Sequence, residues 1–279
     1  MIRTSRQLKA LVRNRSNGNS ARAQMMIRIY AMERFLERLA ISDYRENFVL
    51  KGGLLVSSLV GLARRSTMDI DATIRNLPLT PADAKRVVQA IIDIPLDDGI
   101  RFEIQQVSEI MEEAEYSGVR MHLVALMESM RTPIAIDIST GDVVTPGDIR
   151  YSYKLMFEQR EIELCTYNLS TILAEKIETI ISRGTANSRL RDYYDLYILS
   201  EQYTDSINFD EVGNALEATS RKRGSQAVLK DWELIIEEIQ KDEGLKQLWH
   251  NYQNKFEYAV NLEWEKVIET LKSLMQKVL

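Results

Sequence analysis

Two carboxylates at positions i and i+2, Asp69 and Asp71, are the residues in this sequence with the clearest chemical meaning. They lie in a predicted strand, and because side chains alternate across a strand, both point to the same face. Like charges this close repel each other unless a cation lies between them. Oxygen ligands at this spacing suit Mg²⁺, which completes its coordination with water and phosphate oxygens. The alternative is a pair of surface acids on an edge strand.

A glycine pair precedes this strand. The strand-like run 48–50 leads through Lys51 into Gly52 and Gly53, and a short apolar helix follows. The free N–H groups at the start of a helix form a ready site for phosphate. A phosphate site beside two metal-binding carboxylates is typical of nucleotidyl transfer.

A third carboxylate, Asp137, interrupts the otherwise apolar run 133–139. A charge within a buried strand is costly unless it is paired or bound to a metal. Asp137 is therefore a candidate third metal ligand that would help to deprotonate an attacking hydroxyl. The pattern alone also fits an acid on the exposed face of a half-buried strand.

Charged side chains on two later predicted helices are further candidates. Lys176 and Arg183 share one flank of an apolar stripe, where they would either neutralise a triphosphate or remain ordinary solvated charges. Asp192 lies in the first turns of the next helix. It would complement the helix dipole there, orient Lys176 or Arg191, or contact an incoming nucleotide.

Composition limits the classes of function. The chain has 279 residues, a net charge of −5, one cysteine and two histidines. Two histidines argue against a His-based zinc site or a Ser-His triad. One cysteine excludes an internal disulfide, and no stretch approaches the roughly 20 apolar residues of a membrane helix. We therefore expect a cytoplasmic protein without a membrane segment.

The first 32 residues differ in charge from the rest of the chain. They contain no acidic residue and seven basic ones, namely Arg3, Arg6, Lys9, Arg13, Arg15, Arg22 and Arg28. Such a start is also typical of a transit peptide, but residues 25–41 continue it as a long amphipathic helix. A face that attracts nucleic acid and a merely solvated helix remain the two interpretations.

The order of predicted elements indicates an α+β protein. Strands are predicted between residues 47 and 166, at 48–50, 69–75, 101–107, 119–127, 132–140, 151–157 and 162–166. Helical spacing is predicted elsewhere, at 4–14, 20–41, 82–92, 171–183, 189–201, 208–220, 225–240, 242–260 and 262–278. We expect three parts, with basic helices over 1–45, a mixed-sheet core over 46–166 and an all-helical lobe over 167–279.

Four segments, in order, resemble the motifs of the AbiEii/AbiGii toxin nucleotidyltransferases of the polymerase-β-like superfamily. They are Leu50-Lys-Gly-Gly53, Arg65-Ser-Thr-Met-Asp-Ile-Asp71, Leu173-Ala-Glu-Lys176 and Arg191-Asp-Tyr-Tyr-Asp-Leu196. The resemblance implies the fold of that superfamily, a mixed-sheet lobe followed by an all-helical lobe. The family includes bacterial toxins of abortive phage infection, an antiviral defence, and of toxin–antitoxin pairs. Some members add nucleotides to the 3′ end of tRNA.

The resemblance also implies roles for individual residues. The glycine pair would form the phosphate turn, the two carboxylates at 69 and 71 would bind metal, and Lys176 and Asp192 would be the later essential positions. Further nucleotide-binding candidates lie in or near the motifs, namely Lys51, Ser57, Arg65, Thr67, Arg183 and Arg191. Many relatives have a hydroxyl residue directly after the glycine pair, where this chain has Leu54, with Ser57 about a turn later.

These observations together predict a Mg²⁺-dependent nucleotidyltransferase toxin. Asp69 and Asp71 would hold the metal of the nucleotide, and Asp69 with Asp137 the metal that activates an acceptor hydroxyl. That hydroxyl would attack the α-phosphate of an NTP in line, with loss of pyrophosphate. An RNA acceptor and a co-encoded antitoxin are the expected partners. The alternatives are transfer to a protein or small molecule, and a nucleotide-binding regulator without catalysis.

Overall fold

Strands form where the sequence alternates apolar and polar residues between positions 48 and 166. The structure is a computed structural model that describes residues 1–111 and 117–279. It has one seven-stranded sheet with strand order β3-β4-β5-β2-β1-β7-β6. The strands are β1 (Phe48–Lys51), β2 (Asp69–Ile74), β3 (Arg101–Met111), β4 (Ser117–Met127), β5 (Met130–Thr140), β6 (Ile149–Lys154) and β7 (Glu161–Thr166).

The sheet is mixed at its centre. Strand β2 pairs antiparallel with β1 and parallel with β5, while β5 pairs antiparallel with β4. Strand β1 also pairs parallel with β7, and β7 forms a hairpin with β6. The four strands β1, β2, β5 and β4 are therefore consecutive in the sheet, although β1 and β2 are far in the sequence from β4 and β5.

Helices surround this region in the sequence and fill the rest of the chain. They are α1 (Ser5–Ser16), α2 (Ser20–Ile41), α3 (Gly52–Val60), α4 (Pro81–Ile92), α5 (Leu169–Arg183), α6 (Leu190–Tyr203), α7 (Phe209–Arg223), α8 (Gln226–Leu229), α9 (Trp232–Lys241), α10 (Glu243–Lys255) and α11 (Trp264–Val278). Several begin at a side-chain cap, as where Thr4 and Asn168 accept the first free N–H groups of α1 and α5.

The predicted α+β class is confirmed by this sheet and by the helical region after residue 166. Two helix predictions were wrong in extent. The helix predicted over 225–240 is divided into α8 and α9, and the one predicted over 242–260 ends at Lys255. Neither Lys230 nor Asp231, between α8 and α9, is a residue that breaks helices, so the pattern gave no sign of the break.

The chain forms two compact units. The first contains residues 1–62, 66–142 and 149–166, and so holds the whole sheet with α1 to α4. In it the long helix α2 packs on β5 and β7, and α3 packs on β2. Its most buried apolar side chains are Ile29, Met32, Phe35, Leu36, Leu54, Val56, Met121 and Ile136. This core fixes the strands that carry the carboxylates.

The second unit contains residues 63–65, 143–148 and 167–279 and is helical. Helix α5 packs on α7, and α6 packs on α11. Its core includes Leu173, Ile177, Ile180, Leu199 and Val212, with stacked and tilted rings of Trp249, Tyr252 and Trp264. The three-part division predicted at residues 45 and 166 stays a prediction. Within the described residues, no helix has the length and apolar character needed to cross a membrane.

Candidate active site

The structure brings together the three carboxylates predicted from the sequence. Strand β2 presents Asp69 and Asp71 on one face, and β5 places Asp137 directly opposite Asp71 in the parallel register. One ligand oxygen from each of the three side chains lies within 4.8 Å of the others. We call these three side chains the carboxylate cluster. All three are half-buried, so their repulsion is only partly screened by water.

Gly52 makes room for the carboxylate cluster. Its φ is +67°, in the left-handed region, and a Cβ atom built there would lie 2.1 Å from Oδ2 of Asp71. A side chain at position 52 would therefore collide with the carboxylate as well as strain the backbone. The N–H of Gly53 donates to the same Asp71 oxygen at 3.3 Å. The glycine turn thus holds Asp71 directly, a role that the sequence did not reveal.

The positive charge near Asp71 does not offset the effects of its burial and of the neighbouring carboxylates. Burial, followed by the charges of Asp69 and Asp137, raises the pKa of Asp71 to about 6. Lys51 and the Gly53 N–H act in the opposite direction but do not offset this rise. A carboxylate with a raised pKa gains most from an added cation, because the cation favours its charged form.

Neighbouring side chains hold the cluster in place. The Thr67 hydroxyl is fully buried and donates to Oδ1 of Asp69 at 3.2 Å. The Lys51 ammonium lies 2.5 Å from Oδ2 of Asp142, which also accepts from Ser139 at 2.7 Å. Thr67 and Lys51 were predicted to bind nucleotide. In the structure Thr67 orients the carboxylate of Asp69, and Lys51 forms an ion pair with Asp142.

Arg120 is a further member of this site. It faces Asp137 across the antiparallel β4–β5 pair, and its Nε donates to Oδ1 of Asp137 at 2.7 Å. A second guanidinium nitrogen donates to Oδ2, so the contact is bidentate. The hydrogen bond to Asp137 raises the pKa of Arg120 further above its usual range. Asp137 is thus the member of the cluster that the register of the sheet pairs with an arginine.

Four charges lie side by side across the sheet. Lys51 is in register with Asp71, Asp71 with Asp137, and Asp137 with Arg120. Residues in register share a face, so the order is positive, negative, negative, positive. We call these four residues the charged row.

The donor set fits a divalent cation. Three carboxylates are hard oxygen ligands, and their mutual repulsion and the raised pKa of Asp71 are both relieved by a bound cation. The cluster is the only group of three such residues found among residues 1–111 and 117–279. The carboxylate cluster could therefore hold a metal ion.

The second unit contains a different set of predicted residues. The Lys176 ammonium lies 2.8 Å from Asp192 and 2.7 Å from Asp195, and all three side chains are largely buried. Burial lowers the pKa of Lys176, but the two ion pairs outweigh it and the pKa is raised. Lys176 is therefore not an ordinary solvated charge, which was one of the two interpretations of the sequence. Asp192 contacts Lys176, as one of the three interpretations of the sequence proposed.

Arg65 completes this set. It is buried and forms a bidentate ion pair with Asp195, at 2.6 and 3.2 Å. Burial raises the pKa of Asp195, but the charges of Arg65 and Lys176 more than reverse this and lower it. We call Arg65, Lys176, Asp192 and Asp195 the buried ion-pair group. Arg65 was predicted to bind nucleotide, and a phosphate could reach its guanidinium only if this pair opened.

The geometry argues against a phosphate contact by Ser57 and leaves two other candidates open. The Ser57 hydroxyl is fully buried and donates to the carbonyl of Gly53 at 2.7 Å, so it is not directed at a phosphate. Arg183 is exposed at the end of α5. The Arg191 guanidinium lies over the Phe256 ring, 5.5 Å from its centroid. Nucleotide binding by Arg183 and Arg191 stays a prediction.

Comparison with known proteins identifies the class. A family model described as "Nucleotidyl transferase AbiEii toxin, Type IV TA system" matches residues 34–270. The chain is therefore a nucleotidyltransferase. It belongs to the AbiEii toxin family of type IV toxin–antitoxin systems, as the four motifs predicted.

Solved structures give weaker similarities. The JHP933 protein of Helicobacter pylori and a candidate nucleotidyltransferase from the same organism each share 16% identity and a TM-score of 0.47, over 91% of this chain and 93% and 96% of theirs. An antigenic nucleotidyltransferase-like protein from Paracoccidioides brasiliensis shares 16% identity and a TM-score of 0.37, over 82% of this chain and 95% of that one. No curated protein matches the chain significantly.

Proposed function

We propose that this toxin uses Mg²⁺ to transfer a nucleotide from an NTP to the 3′ end of an RNA, with tRNA as the expected acceptor. The observation that carries the proposal is the carboxylate cluster beside the glycine turn, with its shortage of positive charge. Binding alone would not require three repelling carboxylates on one sheet face. This argues against a regulator without catalysis.

The residues of the first unit would divide the work. Asp69 and Asp71 would hold a divalent ion, with Asp137 as a further ligand, and a bound ion would polarise the α-phosphate and lower the pKa of the acceptor hydroxyl. Thr67 and the Gly53 N–H keep Asp69 and Asp71 oriented. The N–H groups at the start of α3 would bind phosphate oxygens.

Lys176 is the residue proposed to neutralise the triphosphate, and Asp192 and Asp195 hold its ammonium in one position and keep it charged. Asp192 is thereby proposed as a residue that acts on the nucleotide through Lys176. Arg65 forms an ion pair with Asp195 and is not proposed to contact the nucleotide.

The acceptor site is proposed on the basic helices α1 and α2. Of the seven basic residues up to position 32, six are exposed, and the seventh, Arg28, is half-buried. A guanidinium nitrogen of Arg28 lies 3.0 Å from Sδ of Met68, the residue directly before Asp69. The basic surface therefore reaches the strand that carries the carboxylates. An RNA backbone held there would have its 3′ end close to the cluster.

The biological setting follows from the family. Membership of a type IV toxin–antitoxin family implies a paired antitoxin and a nucleotide substrate. We propose that the toxin acts in the cytoplasm, where tRNA and NTPs are abundant, and that it limits phage growth by disabling tRNA.

Label transfer tests the proposal. The protein is incubated with each α-labelled NTP, Mg²⁺ and total RNA, and the products are treated with nuclease or with protease. We expect label in RNA of tRNA size, lost with nuclease and absent when EDTA replaces Mg²⁺. Label that survives nuclease and is lost with protease would assign a protein acceptor instead. No Mg²⁺-dependent label with any NTP would reject the proposed activity.

A further inference from the structure

Arg120 has a position that the reaction proposed above does not use. Its guanidinium donates to both oxygens of Asp137, the carboxylate proposed as the third metal ligand. The Arg120 side chain is 45% exposed, whereas that of Asp137 is 18% exposed. The pair therefore lies at the solvent-exposed edge of the carboxylate cluster. The Arg120 guanidinium is the more exposed of its two groups.

The register of the sheet places Arg120 beside Asp137. Arg120 and Asp137 are directly opposite each other on β4 and β5, within an unbroken run of pairs from 119 to 127. Opposite side chains on one sheet face are close enough to interact directly. The two ends of the charged row differ, however. Lys51 is 19% exposed and lies 2.5 Å from Asp142, whereas Arg120 contacts a member of the cluster itself.

A guanidinium and a metal ion make similar demands on a carboxylate. Arginine binds carboxylates through two parallel hydrogen bonds, which occupy one lone pair on each oxygen. A metal ion needs one of those oxygens and also repels the positive charge of the guanidinium. The positive charge of the guanidinium therefore opposes the binding of an ion to Asp137, and a bound ion weakens the arginine contact.

We propose that Arg120 is a positioning residue that competes with a divalent cation for Asp137 and so lowers the affinity of the carboxylate cluster for that cation. Without the cation, Arg120 holds Asp137 in line with Asp71. When a cation binds, the guanidinium gives up at least part of this contact. The proposal rests on the metal site of the proposed function.

Titration of the full chain with Mn²⁺, followed by electron paramagnetic resonance of the free ion, tests this proposal. Arg120→Gln should bind Mn²⁺ about tenfold more tightly than the wild type, because a nearby unit positive charge has been removed. Arg120→Lys keeps the charge and should stay close to the wild type. A merely structural role of Arg120 predicts the opposite direction, since a poorly held Asp137 is a worse ligand.

The matched control is Arg131→Gln. Arg131 is an exposed arginine on the same strand as Asp137, and six residues along a strand place it on the same face, roughly 20 Å away. This substitution changes the net charge equally and should leave Mn²⁺ affinity unchanged. An equal gain in both variants would show a general charge effect and overturn the proposal.

The outcomes separate this proposal from the metal site itself. Asp69→Asn removes one ligand and should weaken Mn²⁺ binding in every background. If the wild type binds Mn²⁺ and Asp69→Asn does not, but Arg120→Gln binds no more tightly than the wild type, the role of Arg120 is wrong and the metal site stands. If Asp69→Asn binds as well as the wild type, both proposals fail.

Discussion

The carboxylate cluster and the buried ion-pair group contain the same kinds of residues in opposite states of balance. In the ion-pair group, two carboxylates face Lys176 and Arg65, at distances of 2.6 to 2.8 Å. In the cluster, three carboxylates lie within 4.8 Å and the pKa of Asp71 is raised to about 6. A balanced group needs no further partner, although removing one of its members is costly, whereas an unbalanced group is completed by something that binds to it. Charge balance is thus a guide to which acidic residues do chemistry.

The sharpest test of this contrast is Asp71→Asn. We expect nucleotide transfer to fall on the order of a thousandfold or more, since a metal ligand is lost. The melting temperature should stay the same or rise, because one of three repelling charges is removed and an amide oxygen can still accept the Gly53 N–H. Product formation and thermal unfolding are measured on the same sample. A large drop in melting temperature would place Asp71 among the structural residues.

Asp195→Asn should show the opposite pattern. It leaves Arg65 and Lys176 buried with too little negative charge, and breaking a buried pair in this way costs about 3–5 kcal/mol of unfolding free energy. Denaturant unfolding measures this loss. The exposed Asp205 provides the control, because Asp205→Asn makes the same change at the surface and should cost less than about 0.5 kcal/mol. Similar losses of unfolding free energy in the two variants would show that Asp195 matters no more to stability than an exposed carboxylate.

Glu33 on α2 is a buried carboxylate whose pKa is raised because neighbouring positive charge does not offset its burial. Burial raises its pKa to about 8, although Oε1 accepts the Met156 N–H at 2.9 Å. The folded state therefore holds a proton that the unfolded chain releases near its ordinary pKa of 4.5. Stability from this group is complete below pH 4.5 and is lost as pH rises toward 8, by on the order of a few kcal/mol.

Glu33→Gln should remove this loss. The variant keeps a neutral acceptor for Met156, so its unfolding free energy should decline less than that of the wild type between pH 5 and pH 8.5. Denaturant unfolding at four or five pH values gives the slope. Glu109→Gln, at an exposed position on β3, should keep the wild-type slope. Parallel curves for all three proteins would show that Glu33 is charged in the folded state.

The smallest effect is expected on the basic surface. Arg6, Arg13 and Arg22 are exposed, whereas Arg15 lies over the Phe157 ring and has a packing role. Replacing the first three by Gln should reduce the log–log salt slope of RNA binding by up to about 2, at roughly 0.7 per phosphate contact on a single strand. Mn²⁺ binding should not change. An unaltered salt slope would show that RNA binds to another surface of the protein.

Much of the architecture could be predicted because it depends on local patterns. The alternation around Asp69, Asp71 and Asp137 indicated strands, and the structure has them at β2 and β5. Two carboxylates on one strand had to share a face, whatever the partner strands were. The break between α8 and α9 could not be predicted, since it follows no breaker residue in the sequence.

Contacts between strands were harder to predict because they depend on register. Arg120 and Asp137 each lie seven residues from the Met127–Met130 pair that closes the β4–β5 hairpin. The sequence predicted strands at 119–127 and 132–140, which leaves the turn free to shift. A shift of one residue would move Arg120 to the other face. The positive φ of Glu128 in the turn has no signal in the sequence.

The contacts of two helical side chains, Ser57 and Asp195, were also not predicted from the sequence. Ser57 was a phosphate candidate by position, but a serine within a helix can donate to the carbonyl four residues earlier, as it does to Gly53. Asp195 follows Asp192 by three residues and so shares its helix face, which made a joint contact with Lys176 foreseeable. Its pairing with Arg65 joins positions 130 residues apart and has no local signal.

The order of strands in the sheet also determines when the carboxylate cluster can form during synthesis of the chain. Strand β5 lies between β4 and β2, although it follows both in the sequence. A nascent chain that has left the ribosome only as far as the β4–β5 turn lacks Asp137 and presents β2 with one of its two neighbours missing. The carboxylate cluster can therefore form only after β5, which ends at Thr140, has emerged from the ribosome.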